Sequence, residues 1–153
     1  MENPRWKTMP SWLLTQTGNH AHRLVTDEFA SVQARGYHYR LLATLEEFGP
    51  ASQAALGRRT EIHVSDMVAT VNELAGRGLV ERAPDPADRR RNIITLTDAG
   101  TRQLRVLEER LAASQEALLA PLSAEERQRL TALLSTLLDH HDRRPDAADS
   151  PSR

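Results

Sequence analysis

The chain has no cysteine among its 153 residues. Disulfide staples, thiolate metal sites and cysteine-based peroxide sensing are therefore excluded. Aromatic residues are scarce, at 4%. With 39% hydrophobic residues a core can still be buried, and it must be built from Leu, Ala and Val. No run approaches the roughly 18 apolar residues of a membrane span, and the segment 1–10 lacks the apolar middle of a signal peptide. The expectation is a cytoplasmic protein with no membrane partner. Neither sign of charge dominates, since 20 Lys+Arg face 21 Asp+Glu. That argues only weakly against nucleic acid, because the local field of a basic loop matters more than the sum. A Gly-rich phosphate loop, a nucleophile elbow and a His-Glu metal motif are all missing, which argues against an enzyme and implies no cofactor.

What is there is concentrated in the stretch 85–100, DPADRRRNIITLTDAG. Ile93, Ile94 and Leu96 among polar neighbours read as a strand over 92–97, stopping at a helix cap at Thr97 or Asp98. A second short strand lies upstream at 79–83, LVERA. Between them Pro84 and Pro86 fix φ while Asp85 and Asp88 favour turns, which predicts an antiparallel hairpin whose solvated tip carries Arg89, Arg90 and Arg91. A charge run alone is usually only a solvated loop. Two helices precede it, however: 52–58 with Ser52 as N-cap, and, after a break at Thr60 and Glu61, 64–77 ended by Gly78. In the second, Met67, Val68, Val71, Leu74 and Ala75 recur at helical spacing, leaving Ser65, Asp66, Ala69, Thr70 and Asn72 nearer the other side. Two helices and a tight turn followed by a basic hairpin make a winged helix-turn-helix, whose second helix can enter the DNA major groove.

The run SQAALGRRTEIHVSDMVATVNELAGRGLVERAPDPADRRRNIITLTDAG resembles the DNA-binding core of the MarR family of bacterial transcription regulators. The resemblance extends from Tyr37 to Gly100. Its most specific pieces are Arg77-Gly78-Leu79-Val80, Asp88-Arg89-Arg90 and Leu96-Thr97-Asp98-Ala99-Gly100. It implies a mainly α fold with a small β-wing, a winged helix-turn-helix core flanked by N- and C-terminal dimerisation helices, and a homodimer on a double-stranded DNA operator, most often as a repressor. The expected division is an N-terminal arm and dimerisation helix over 1–36, a DNA-binding domain over 37–100, dimerisation helices over 101–142, and a disordered tail over 143–153.

Outside the core, residues 1–10 read as an arm of uncertain order. Ser11 is expected to cap a helix to about Ala34, with Leu14, Gly18, Ala21, Val25, Phe29 and Val32 on one stripe. A helix over 37–48 carries Leu41, Leu42, Leu45 and Phe48. The segment 98–119 bears Leu104, Leu107, Leu111 and Leu118, and Ser123 to Glu126 is a capping box opening a helix with Leu130, Leu133, Leu134, Leu137 and Leu138. These first, fifth and sixth helices carry apolar faces that a small winged core cannot cover, so a symmetric dimer is expected, with recognition helices about 34 Å apart.

For DNA contacts, chemistry assigns Arg90 to the minor groove at the wing tip, where narrow A·T-rich grooves attract guanidinium groups. Arg89 and Arg91 are assigned to phosphates, and Asp88 to orienting an arginine. Ser65, Asp66, Ala69 and Thr70 match positions at which members of the resembling family commonly touch DNA, and Gln53 and Arg58 can reach the backbone. The sequence departs from the family where Ala69 replaces a frequent arginine and Glu73 another basic residue. Arg-to-guanine readout from position 69 is thereby impossible; Asp66 on a cytosine amine, and Ala69 or Val64 on a thymine methyl, remain.

The resemblance also implies a small, often phenolic or anionic effector between the dimer helices and the winged core. Trp12, His20, Arg23, Tyr37, Tyr39 and Arg40 offer aromatic walls with cationic handles near that junction. Their bland reading is core for the tyrosines and solvated surface for the rest. A winged helix that binds protein, or responds to a metal through His140 and His141, is the alternative, although no metal site is expected because adjacent helical histidines diverge.

Overall fold

Caps and apolar spacing fix most of the element boundaries in the computed structural model, which describes residues 4–143. Helix α1 spans Pro10–Ala30, α2 Gly36–Phe48, α3 Gln53–Thr60, α4 Val64–Gly76, α5 Asp98–Leu119 and α6 Ala124–Asp142. Strands β1 (Ala51–Ser52), β2 (Val80–Pro84) and β3 (Asn92–Leu96) complete the order. Residues Arg5–Thr8, in the arm whose order the sequence leaves open, form a 3₁₀ turn, with Trp6 edge-on to Trp12 at 5.5 Å. Two of the expected boundaries are corrected. Met9, not Ser11, is the N-cap of α1, and Pro10 takes the first helical position, where its missing N–H is no loss. The helix then stops at Ala30 instead of Ala34.

That early stop has a local cause. Gln33 adopts a left-handed φ of 56°. The Ala34 N–H donates to the Phe29 carbonyl (2.9 Å) and the Gln33 N–H to the Ala30 carbonyl (3.0 Å), which together make a Schellman cap. Its apolar pair, Phe29 and Ala34, is buried. The end of α4 repeats the motif with Gly78 at φ 71°, the Leu79 N–H on the Leu74 carbonyl at 2.9 Å, and Leu74 and Leu79 buried together. Arg77 donates to the Gln33 carbonyl at 2.9 Å and so joins the two caps.

The sheet has the order β1-β3-β2, all antiparallel, with Val80 opposite Leu96 and Pro84 opposite Asn92. The two-residue β1, which pairs Ala51 with Ile94 and Ser52 with Ile93, adds a third strand to the expected hairpin. Leu41, Leu42, Leu56, Val71, Leu74 and Ile94 are fully buried beneath this sheet and helices α2 to α4, each stabilising the fold by about 1.5–3 kcal/mol. Phe29 of α1 and Leu104 and Leu107 of α5 join the same cluster. The apolar faces of α1 and α5 are thus partly covered within one chain, contrary to expectation. Arg105 links α5 to Glu46 of α2 (2.8 Å), and Arg110 approaches Glu28 of α1 (3.7 Å).

One compact unit ends at Leu118 and a second begins at Leu119. The second holds α6, opened by the expected capping box: Ser123 Oγ accepts from the Glu126 N–H at 3.2 Å, and Glu126 Oε2 from the Ser123 N–H at 2.8 Å. Leu133, Leu134, Leu137 and Leu138 lie exposed along it. Apart from Arg143, the expected tail lies outside the described residues. Among the described residues no helix is long and apolar enough to cross a membrane.

Candidate nucleic-acid interface

The wing begins at a lock between α4 and α5. Thr97 Oγ1 donates to the Gly78 carbonyl (2.7 Å) and accepts from the Gly100 N–H (3.0 Å), so Thr97 is the cap that starts α5. A Cβ at Gly100 would stand 2.0 Å from the Leu79 carbonyl oxygen, so only glycine permits this approach. The hairpin between β2 and β3 therefore leaves the body at a fixed angle. Its tip is closed by the Asp85 N–H on the Arg91 carbonyl (2.8 Å) and the Arg91 N–H on the Asp88 carbonyl (2.9 Å). Asp88 Oδ1 accepts from the Arg90 N–H at 3.1 Å. Asp88 thus orients Arg90 through the main chain, as an Asx turn, and not through an ion pair. Arg89, Arg90 and Arg91 are exposed, and no described residue engages their guanidinium groups.

Helix α3 starts at Ser52, whose Oγ accepts from the Ala55 N–H at 3.2 Å. It turns into α4 at Glu61, held at a left-handed φ of 54°. Two surface grooves meet on α3. One, of about 470 Å³, is lined by Gln53, Ala54, Gly57, Arg58, Ile62, His63, Val64 and Met67. The other, of about 260 Å³, is lined by Ser52, Gln53, Ala54, Arg90, Arg91 and Asn92. Gln53 and Ala54 belong to both. A continuous surface therefore runs from the first turn of α4, across the start of α3, to the arginines of the wing.

The open face of α4 is rotated by part of a turn from the one that helical spacing predicts. Thr70, expected on the open face, is only 4% exposed, and its hydroxyl donates to the Asp66 carbonyl at 2.7 Å. That bond satisfies the one polar atom Thr70 takes inside, so it lies in the core and not at a base edge. Val68, expected in the core, is 44% exposed. Ser65, Asp66, Ala69 and Asn72 are exposed as expected, with Ser65 Oγ 3.0 Å from His63 Nδ1. Helical spacing allowed either Val68 or Thr70 inward, so no signal in the sequence alone could have found this.

Behind α4 lies an ionisable cluster. The buried His38 accepts the Arg35 N–H on Nδ1 (3.3 Å), so Nε2 carries the proton and donates to Glu73 Oε2 (2.8 Å). Arg35 binds the other Glu73 oxygen at 2.5 Å. Burial pushes the His38 imidazole below its ordinary pKa, against the raising effect of Glu73. The hydrogen bond from His38 lowers the Glu73 carboxyl. Glu73, which departs from the resembling family's pattern, here ties α4 to the start of α2.

The residues expected to hold an effector fall into separate pairs. Arg23 Nη2 and His20 Nδ1 are 2.9 Å apart. Arg40 stacks over Tyr37 at 5.2 Å and donates to the Thr60 carbonyl at 3.0 Å. Tyr39 packs on Phe29 at 6.0 Å, and Trp12 on Trp6. None of them lines either groove. His140 and His141, expected to diverge, stand edge-on at 5.0 Å near the end of α6.

Residues 32–91 match a family model described as the MarR family. The chain is 32% identical over 107 residues to the HTH-type transcriptional repressor NicR of Pseudomonas putida, which covers 70% of this chain and 68% of that protein. It also resembles the crystal structure of the PcaV transcriptional regulator from Streptomyces coelicolor in complex with its natural ligand, with TM-score 0.72, 30% identity and coverage of 91% and 98%. A mutant MarR from E. coli complexed with operator DNA has the same fold, at TM-score 0.72, 18% identity and coverage of 89% and 99%.

Proposed function

The chain belongs to the MarR family of transcription regulators, and from that premise we propose that it acts as a homodimeric repressor that binds a palindromic operator and is released by a small ligand. The observation that carries this reading is the unbroken surface from α4 over α3 to three unpaired wing guanidinium groups. On it, Arg90 enters the minor groove, Arg89 and Arg91 hold phosphates, and Gln53 and Arg58 hold the backbone on either side of the major groove. Ser65, Asp66 and Ala69 face base edges or nearby phosphates. Asp88 stays off the DNA and shapes the turn. Dimerisation buries the exposed Leu13 and Leu14 of α1 and the leucine row of α6.

The effector is an aromatic acid or phenol. Support comes from Tyr37 with Arg40 and His20 with Arg23, each a cationic handle beside a ring or an acceptor, and from the ligand complex of the similar PcaV regulator; Trp12 and Tyr39 pack on Trp6 and Phe29 instead. A ligand can shift such a dimer only through unequal affinity for its two shapes. The test is an electrophoretic shift with the DNA flanking the protein's own gene, at two salt concentrations, followed by titration of candidate aromatic acids. Binding that falls with salt, resists nonspecific competitor and is reversed by one of the acids is expected. Retardation that any competitor removes equally contradicts specific recognition, and undiminished affinity at ligand saturation contradicts release.

A further inference from the structure

We infer that α4 selects A·T pairs in the major groove through thymine methyl groups and one adenine contact, with Val64, Val68 and Ala69 reading the methyls and Asn72 reading the adenine. The inference rests on the proposed DNA-binding role and adds which chemistry the helix can recognise. Helix α4, VSDMVATVNELAG, contains neither lysine nor arginine. The usual bidentate partner for guanine O6 and N7 is therefore missing from the face that would meet the bases. What that face offers instead is apolar. Val64 is 76% and Val68 44% exposed.

At 100° per residue, Val64, Val68, Asn72, Ser65 and Ala69 fall in that angular order within an arc of about 140°. Asn72 sits near its middle. Its amide has no partner among the described residues, so its Nδ2–H is free to donate to adenine N7 while its Oδ1 accepts from the adenine N6 amino group. The thymine C5 methyl is the one apolar group in the major-groove pattern, and β-branched side chains left in water gain by covering it. Asp66 lies about 60° beyond Ala69, at the margin of the arc, and is a poorer reader of cytosine than spacing alone suggested. Thr70 cannot contribute because it is buried. Val68 thus lies on one side of Asn72 and, past Ser65, Ala69 on the other, a pattern suited to adjacent thymines and adenines.

The test uses duplexes that the full chain itself enriches from a random pool. Each thymine of the enriched site is replaced singly by deoxyuridine, which removes only the methyl, and each adenine by 7-deazaadenine, which removes only N7. The wild-type protein should lose about three- to fivefold in affinity at two or more thymines per half-site, and about tenfold at one adenine. Val68→Ala should abolish the loss at one of those thymines, and Asn72→Ala should abolish sensitivity to the deaza substitution. Both positions are exposed, so unchanged thermal unfolding is expected and controls for folding. An enriched site that tolerates every demethylation and every deaza substitution overturns this inference while leaving the DNA-binding role intact. Failure to enrich any sequence overturns that role itself.

Discussion

Gly100 illustrates how much one residue decides here. Its missing side chain lets the first turn of α5 touch the Leu79 carbonyl, and Thr97 closes the same junction from both sides. Gly100→Ala should cost at least about 2 kcal/mol, read as a lower urea midpoint at unchanged slope. Gln33 is the opposite case, a side chain where glycine fits better. Gln33→Gly should add about 0.5–1 kcal/mol, since relief of the left-handed backbone outweighs the extra freedom of the unfolded chain. At the proposed interface, Arg90→Ala should weaken binding to all duplexes and lower the salt slope by about one. Ala69→Arg should instead change which sequence is preferred. Unchanged site selection after that second substitution removes Ala69 from the reading face.

Among elements, α4 depends on contacts that its own sequence does not contain. Glu73 is held by His38 of α2 and by Arg35, the residue that caps that helix, and by no residue of α4. In the unfolded chain His38 takes a proton near its ordinary value of 6.5, whereas the folded chain resists it. The resulting stability is complete above that value and is lost as pH falls below it. Glu73, lowered from 4.5, contributes in the same sense, its share lost as pH falls through the acid range. Unfolding midpoints measured from about pH 7.5 down to about pH 5.5 should therefore decline, and His38→Gln should flatten the decline. A wild-type midpoint independent of pH over that interval contradicts the anchoring role. Such long-range ties explain what the sequence could not yield. The hairpin, Ser52 and Ser123 caps, and Gly78 stop were legible because each is a local signal. The face of α4 was not, because Val68 and Thr70 both fit the spacing and the core chose the residue whose hydroxyl could bond back to Asp66. Strand β1 was illegible for another reason: two residues carry no period, and only Ile93 and Ile94 across the sheet define it. The six effector candidates share suitable chemistry and a place in the sequence near the expected junction, but most of that chemistry is directed at neighbours in the chain.

For the whole molecule, the exposed leucines mark the surface that the proposed dimer would bury. The winged core encloses its apolar residues, drawing on α1 and α5. The leucine row of α6 and the first half of α1 remain in water. Sedimentation at micromolar concentration should give a dimer, and replacing Leu134 and Leu138 with glutamate should yield monomers with an intact helical spectrum. Two copies joined in this way would present their α4 helices and wings as a symmetric pair. The most direct test is a hydroxyl-radical footprint of the protein on an enriched duplex. Two equal patches of protection related by a two-fold axis, with centres about one helical turn apart and flanked by minor-groove protection from the wings, are predicted. A single patch, or protection spread evenly along the duplex, would contradict the account.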